Sequence, residues 1–525
     1  MVVTGHRDKA PQAIQSLEGG TLPGLRRMPV WPLYALFLGY PLWWALGLTS
    51  VIWVLAAFPM AIALARRGRI RVPRGFGLWL LFLLWVLVGV TALGMVAPDT
   101  MPDSGGLMGY SHRLLLYLAA TVMLLYVGNL TEQEMPQLTV AKLLGFLGVV
   151  TVVGGLAGVT VPTLEFTSAL EMLLPQRLTG DKWIEEMVHP AVAQLHQVIG
   201  SAPEPRPKAP FEYTNTWGNN LSVLLIWAVA AWWAHGSRGR RWLTALLLAV
   251  AMVPIVYSLN RGVWVGLIIA VLYVAVRLVL RGRIMVIGAL MVAALLAIPA
   301  FAVTPLGSLV QARLQNGHSD SIRTTLALKS VEAARSSPII GYGTGRAMRG
   351  SASSIAVGRS PSCRQCGNAQ IGSTGQLWLV LISHGLVGTV LYFGFFVHAM
   401  WRYRRDDSAI GIAGSLVVLL SFWYATTYPS AGSPLCLTFI AIALLWRNDL
   451  ARRERMAAER AEWWLRFKRA RAEHSRGLRP VKPPAGPARP TGPTGLAKSA
   501  RAARRKGIGT AVPMVEDRET RVSVR

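Results

Sequence analysis

Long apolar stretches alternate with short polar ones along most of the chain. A stretch of about 17 residues or more can cross a bilayer as a helix. In order, such stretches cover residues 30–47, 49–65, 76–93, 110–128, 140–159, 217–234, 242–259, 263–280, 284–303, 376–400, 409–425 and, somewhat shorter, 434–446. Their apolar residues run continuously rather than at every second position, which argues against a β-barrel. The pattern predicts an all-α, polytopic integral membrane protein with about 12 transmembrane helices. Two polar stretches, near 160–214 and 304–375, are too long to be passive connectors.

The arginines orient the spans. Arg66, Arg67, Arg69, Arg71 and Arg74 follow the second span, and Arg238, Arg240 and Arg241, then Arg281 and Arg283, then Arg402, Arg404 and Arg405 follow later ones. Positive charge collects in cytoplasmic loops, so both termini are expected inside and both long stretches outside. Residues 1–29 then form a cytoplasmic N-terminal segment without a signal-peptide core. Residues 447–474 read as a basic helix, either dipping Trp463, Trp464, Leu465 and Phe467 into the interface or fully solvated. Residues 475–525, rich in Pro, Gly, Ala and Arg, read as a disordered basic tail.

Composition agrees with a membrane protein: 53% of the residues are hydrophobic and only 15% charged. The formal net charge is +29, and the tail from residue 447 holds about 21 Lys and Arg against about 8 Asp and Glu. Beside a bilayer this balance fits anionic membrane lipid rather than nucleic acid. One stretch departs from the charge rule. Residues 304–375 carry Arg313, Arg323, Lys329, Arg335, Arg346, Arg349, Arg359 and Arg364 against Asp320 and Glu332. Exported loops usually carry few basic residues, so an anionic ligand is expected there.

Three segments carry candidate chemistry. In Ser258-Leu259-Asn260-Arg261-Gly262, Arg261 sits between two spans, where a charge must snorkel, pair or bind a ligand. In Ser319-Asp320-Ser321-Ile322-Arg323, Ser319 or Asp320 can cap a helix ending near Ser336, before Pro338. Arg323 falls in its first turn, with Ala327, Ser330 and Ala334 on its face. In Pro338-Ile339-Ile340-Gly341-Tyr342-Gly343-Thr344-Gly345-Arg346, the alternating glycines allow N–H groups to cradle phosphate oxygens. Cys363 and Cys366 form an exported C-x-x-C, a candidate local disulfide. No acidic cluster suited to a divalent cation is evident outside the membrane, and no cofactor is implied.

The order of these segments, with Gly385-Leu386-Val387-Gly388 after them and Phe211-Glu212-Tyr213-Thr214-Asn215-Thr216-Trp217-Gly218-Asn219-Asn220 before them, resembles the O-antigen ligase and polymerase superfamily. The resemblance covers about residues 211–400. It implies a membrane glycosyl transfer enzyme, inverting and metal-independent. Such an enzyme moves a saccharide from a polyprenyl-pyrophosphate donor to a glycan or lipid acceptor on the outer face of the cytoplasmic membrane. Transferred to this chain, Arg261 and Arg323 hold the donor pyrophosphate; the glycine turn read above adds Gly341, Gly343, Gly345 and Arg346 as candidate donors to it. Guanidinium groups suit the task because their planar donors match phosphate oxygens. Where the family carries a His, this chain has Thr374, so the base that activates the acceptor is open among Glu212, His318 and Asp320. The competing reading is a transporter or flippase of lipid-linked saccharides. It expects charges deep within several spans, whereas mainly His384 and His398 are ionisable there.

Overall fold

The computed structural model describes residues 26–101, 106–179, 182–196, 204–285, 318–348 and 370–475, with scattered positions between 287 and 311. The described chain is mostly helical. Seven helices are long and apolar enough to cross a membrane: Leu107–Asn129, Gln137–Thr160, Arg238–Tyr257, Arg261–Val279, Gln376–Tyr403, Ala409–Thr427 and the apolar part of Ser433–Ser475. The other expected spans take different forms. Residues 30–47 hold two short helices, Trp31–Leu38 and Tyr40–Ala45, each with a proline in its first turn. Ile52–Arg66 and Phe76–Val88 are single shorter helices. Thr214–Ala228 continues into a π-helical turn, Val229–Trp233. Most of 284–303 lies outside the described residues.

Close approach between helices is bought by small residues, as expected where apolar solvent supplies little drive for association. On Gln137–Thr160, a Cβ at Gly148 would lie 3.3 Å from Leu224 Cβ, and one at Gly155 would lie 2.9 Å from Pro254. A dense aromatic cluster round Trp79 fills another part of the core; Trp79 faces Phe82, Tyr117, Tyr392 and Phe439 at centroid distances of 5.0, 6.0, 5.8 and 4.7 Å.

The helix ends fall into two sets. At the arginine end, Arg67 Nη1 pairs with Glu134 at 3.0 Å, with the two side chains 5% and 8% exposed. Arg447 pairs with Glu132 at 3.0 Å, and Arg402 with Asp449 at 2.9 Å. Burial raises the Glu134 pKa, but the N–H groups of Thr131 and Met28 and the Arg67 guanidinium outweigh it, and the net shift is downward. The depressed folded pKa means the clasp stabilises above the unfolded carboxylate pKa and is lost as pH falls through the folded value. Arg67→Ala, which leaves Glu134 buried and unpaired, is expected to cost about 3–5 kcal/mol. A melting curve of the purified variant checks this, and the wild-type advantage should shrink in acid.

At the loop end lie the two long stretches. The first holds short helices Ala169–Leu173, Gln176–Thr179 and Lys182–Val188, then an antiparallel ribbon pairing Ala193–His196 with Glu204–Pro207. Helix Lys182–Val188 stops before His189-Pro190, and the chain turns to strand from Ala193. In the second stretch, helix His318–Ser336 ends before Pro338. It is already helical at His318, so Ser319 and Asp320 lie within the helix rather than at its cap. A short pairing of Arg346–Ala347 with Gln370–Ile371 follows.

Residues up to Arg452 belong to one compact unit, and a second begins at Arg453. Within the second, Trp463, Trp464 and Phe467 gather their rings at centroid distances of 5.1, 5.4 and 5.8 Å.

Candidate functional site at the loop end

Four segments distant in sequence meet at Tyr428, the residue that closes helix Ala409–Thr427. Tyr428 is 1% exposed. Its hydroxyl donates to Asn260 Oδ1, and Asn260 Nδ2 donates to Asn215 Oδ1 at 3.3 Å. The Arg323 guanidinium lies over the Tyr428 ring, 5.7 Å from its centroid. Arg206 also acts on this tyrosine, and its Nε donates to the Ser258 carbonyl at 2.6 Å. Among the described residues, the charged groups acting on Tyr428 are the guanidiniums of Arg323 and Arg206.

Local sequence explains each placement. Residues 258–260 join two helices with Leu259 at φ +52°, a left-handed backbone that makes the hairpin tight. Arg261 is the first residue of the following helix and is half-buried between Asn260 and Gly262. Gly262 lets Tyr428 approach, since a Cβ there would lie 2.6 Å from the phenol Cζ. On His318–Ser336 the buried face is Leu326, Ser330, Ala333 and Ala334, and Arg323 lies on that side toward the N-terminus. The ribbon pairs Arg206 with Gln194, whose Oε1 accepts from the Thr214 amide and hydroxyl at 3.3 and 3.2 Å. The tie fixes the ribbon to the helix that presents Asn215. Tyr428 is held in turn by its carbonyl, which accepts from the Gln376 amide at 2.9 Å. Gln376 Nε2 donates to the Tyr117 hydroxyl at 3.2 Å. Beside Gln376 lies a small, largely apolar crevice walled by Phe393, Phe396 and Phe422.

Other expected site residues are placed elsewhere. The glycine turn is not a phosphate cradle. The Gly341 amide donates to the Ser337 carbonyl at 3.1 Å, and those of Tyr342 and Gly343 to Ile382 and Ser383 at 2.8 and 2.7 Å. These N–H groups cap a break in helix Gln376–Tyr403, where Gly385 has φ +64° and ψ −166°. The Leu386 amide returns the contact to the Pro338 carbonyl at 2.7 Å. Gly345 serves close approach instead: a Cβ there would lie 2.8 Å from the Ile371 carbonyl oxygen.

Arg346 is likewise a strut rather than a ligand for pyrophosphate. It is 1% exposed, and its Nη2 donates to the carbonyls of Leu93 and Tyr342 at 2.8 Å and to that of Met95 at 3.1 Å. Burial lowers its pKa from the ordinary guanidinium value. Glu212 lies in a separate cavity lined by Trp44, Thr49, Glu186, His189 and Phe211, which includes none of the guanidiniums at Tyr428. Ser50 Oγ donates to Glu212 Oε1 at 2.8 Å. Burial raises the Glu212 pKa, opposed by its own amide, by Ser50 and by the Lys208 ammonium.

The side chains of His318 and Asp320, and all of Cys363 and Cys366, lie outside the described residues. Thr374 has a buried hydroxyl oxygen without a partner among the described residues.

Sequence reading passed over Arg206 and Tyr428. Arg206 lies in Glu204-Pro205-Arg206-Pro207-Lys208, where prolines mask the ribbon. Tyr428 sits at a span end, an ordinary place for an aromatic residue. Tyr428→Phe leaves Asn260 Oδ1 without its donor in a buried site and is expected to cost about 1–3 kcal/mol. A thermal shift of the purified variant reads it. No protein-family model matches the chain, and no curated protein gives a significant match to it.

Proposed function

We propose that the protein is a membrane glycosyl transfer enzyme that takes a saccharide from a polyprenyl-pyrophosphate donor and gives it to a glycan or lipid acceptor at the outer face of the membrane. The observation that carries this reading is the convergence of Arg206, the Asn260–Gly262 hairpin with Arg261, and Arg323 on Tyr428. Fixed guanidiniums suit a diphosphate, which gains charge as its bond to the sugar breaks.

In the reaction the anomeric carbon–oxygen bond breaks and its electron pair leaves on the pyrophosphate oxygen. The acceptor hydroxyl oxygen bonds to the anomeric carbon from the opposite face. Its proton passes to a base, for which Asp320 is the candidate that lies i−3 to Arg323 on one helix. Arg206→Ala removes a charge-assisted contact to the diphosphate and is expected to raise the donor KM about tenfold or more. Transfer kinetics with a polyprenyl-pyrophosphate oligosaccharide test this; an unchanged KM removes Arg206 from the site.

The break at Gly385 favours a second reading. Interrupted membrane helices often mark transport sites. Here the break places Ser383 Oγ and His384 Nδ1 in the core with no partner among the described residues. Movement of lipid-linked saccharide across vesicles without any glycosidic product would support a transporter instead.

A further inference from the structure

A second cationic place at the loop end is built on helix Leu107–Asn129. Tyr110, Tyr117 and Leu124 on one side of this helix are 5%, 1% and 0% exposed, whereas Leu115 and Leu118 on the other are 48% and 43% exposed. Arg113 is three residues after Tyr110 and four before Tyr117, so it shares the inward face. An arginine on that face, in a helix apolar enough to span a membrane, is not directed at lipid and needs a partner.

The protein supplies little to meet that need. Among the described residues, the one hydrogen bond of the guanidinium runs from Nε to the Gly109 carbonyl, at 3.0 Å within its own helix. Among the described residues, the groups acting on it electrostatically are Tyr117 and Arg346, and it acts in turn on His112 and His384; none is a carboxylate. Arg346 adds like charge and spends its own donors on carbonyls. Tyr117 accepts from Gln376, and its hydroxyl proton has no acceptor among the described residues. Elsewhere the buried guanidiniums of Arg67 and Arg447 are each met by a glutamate. Among the described residues, neither the remaining Arg113 donors nor the Tyr117 hydroxyl proton, one turn apart on the same helix face, meets an acceptor.

We propose that Arg113 and the Tyr117 hydroxyl form a binding site for an oxyanion of the phosphate type, separate from the guanidiniums at Tyr428. Lipid headgroups and soluble phosphate share this chemistry, and planar guanidinium donors match it. The site does not depend on the glycosyl transfer reading.

The test uses the full chain in nanodiscs, in the Arg323→Ala background so that the other cluster contributes less. In discs of a galactolipid, which carries no phosphate, sodium phosphate against chloride at equal ionic strength is expected to raise Tm by a few degrees, as a ligand of the folded state does. Arg113→Gln should abolish the rise, and Arg113→Lys, which keeps the charge, should retain part of it. If lipid supplies the anion, phosphatidylglycerol discs should give the Arg113-dependent rise without phosphate. Either result supports the site and names its source. The proposal is overturned if neither condition separates the Arg113→Gln protein, or the Arg113→Lys protein where Gln fails to insert, from its parent.

Discussion

On the proposed glycosyl transfer reading, Arg261→Ala and Arg323→Ala are each expected to abolish surface glycan in cells, with transfer falling about 10²–10³-fold. The helices should still form and insert, because neither side chain belongs to the packed core. Arg323 lies over Tyr428 rather than within a network of carbonyls, unlike Arg346. Arg335→Ala on the same helix is the control. Arg335 is exposed, and its loss should leave glycan unchanged. Normal glycan in both site variants would remove the guanidinium cluster from the chemistry.

Gly385→Ala is expected to destabilise the fold by about 3 kcal/mol. Two costs combine. The backbone at φ +64° and ψ −166° is one that glycine adopts almost alone. A Cβ would also lie 2.6 Å from the Pro338 carbonyl oxygen, against backbone that cannot swing aside. The loss should appear as a lower Tm of the purified protein. It should also weaken the seat of the glycine turn, and with it the chain that follows Arg323. Gly394→Ala is the matched comparison: a Cβ there meets Leu78 Cδ1 at 3.9 Å, ordinary contact in a regular helix. It should be neutral or slightly stabilising.

Much of this architecture was legible because apolar length is a direct signal. Helices such as Gln137–Thr160 and Ala409–Thr427 fall close to the stretches that hydropathy marks. The hairpin carrying Asn260 and Arg261 and the helix carrying Arg323 were legible too, from a span boundary and from Pro338. What was hidden is tertiary. The glycine turn has the composition of a phosphate loop, yet its amides cap carbonyls of a broken helix forty residues on. That partner is invisible to local pattern, since only the folded chain shows where Ile382 and Ser383 lose their own helical donors. Arg346 is misleading for the same reason: an exported arginine and a buried strut have the same letter. Arg206 was concealed by neighbouring prolines, and Arg113 by the apolar helix around it. Tyr428 acquires its meaning only from the segments that reach it.

The most direct measurement is in vitro transfer by the purified protein, without added metal, from a polyprenyl-pyrophosphate oligosaccharide to a saccharide or lipid acceptor. The account predicts a new glycosidic product with release of polyprenyl pyrophosphate, lost in Arg323→Ala and kept in Arg335→Ala. Equal product from wild type and Arg323→Ala, or saccharide carried across the membrane with no bond made, would contradict it.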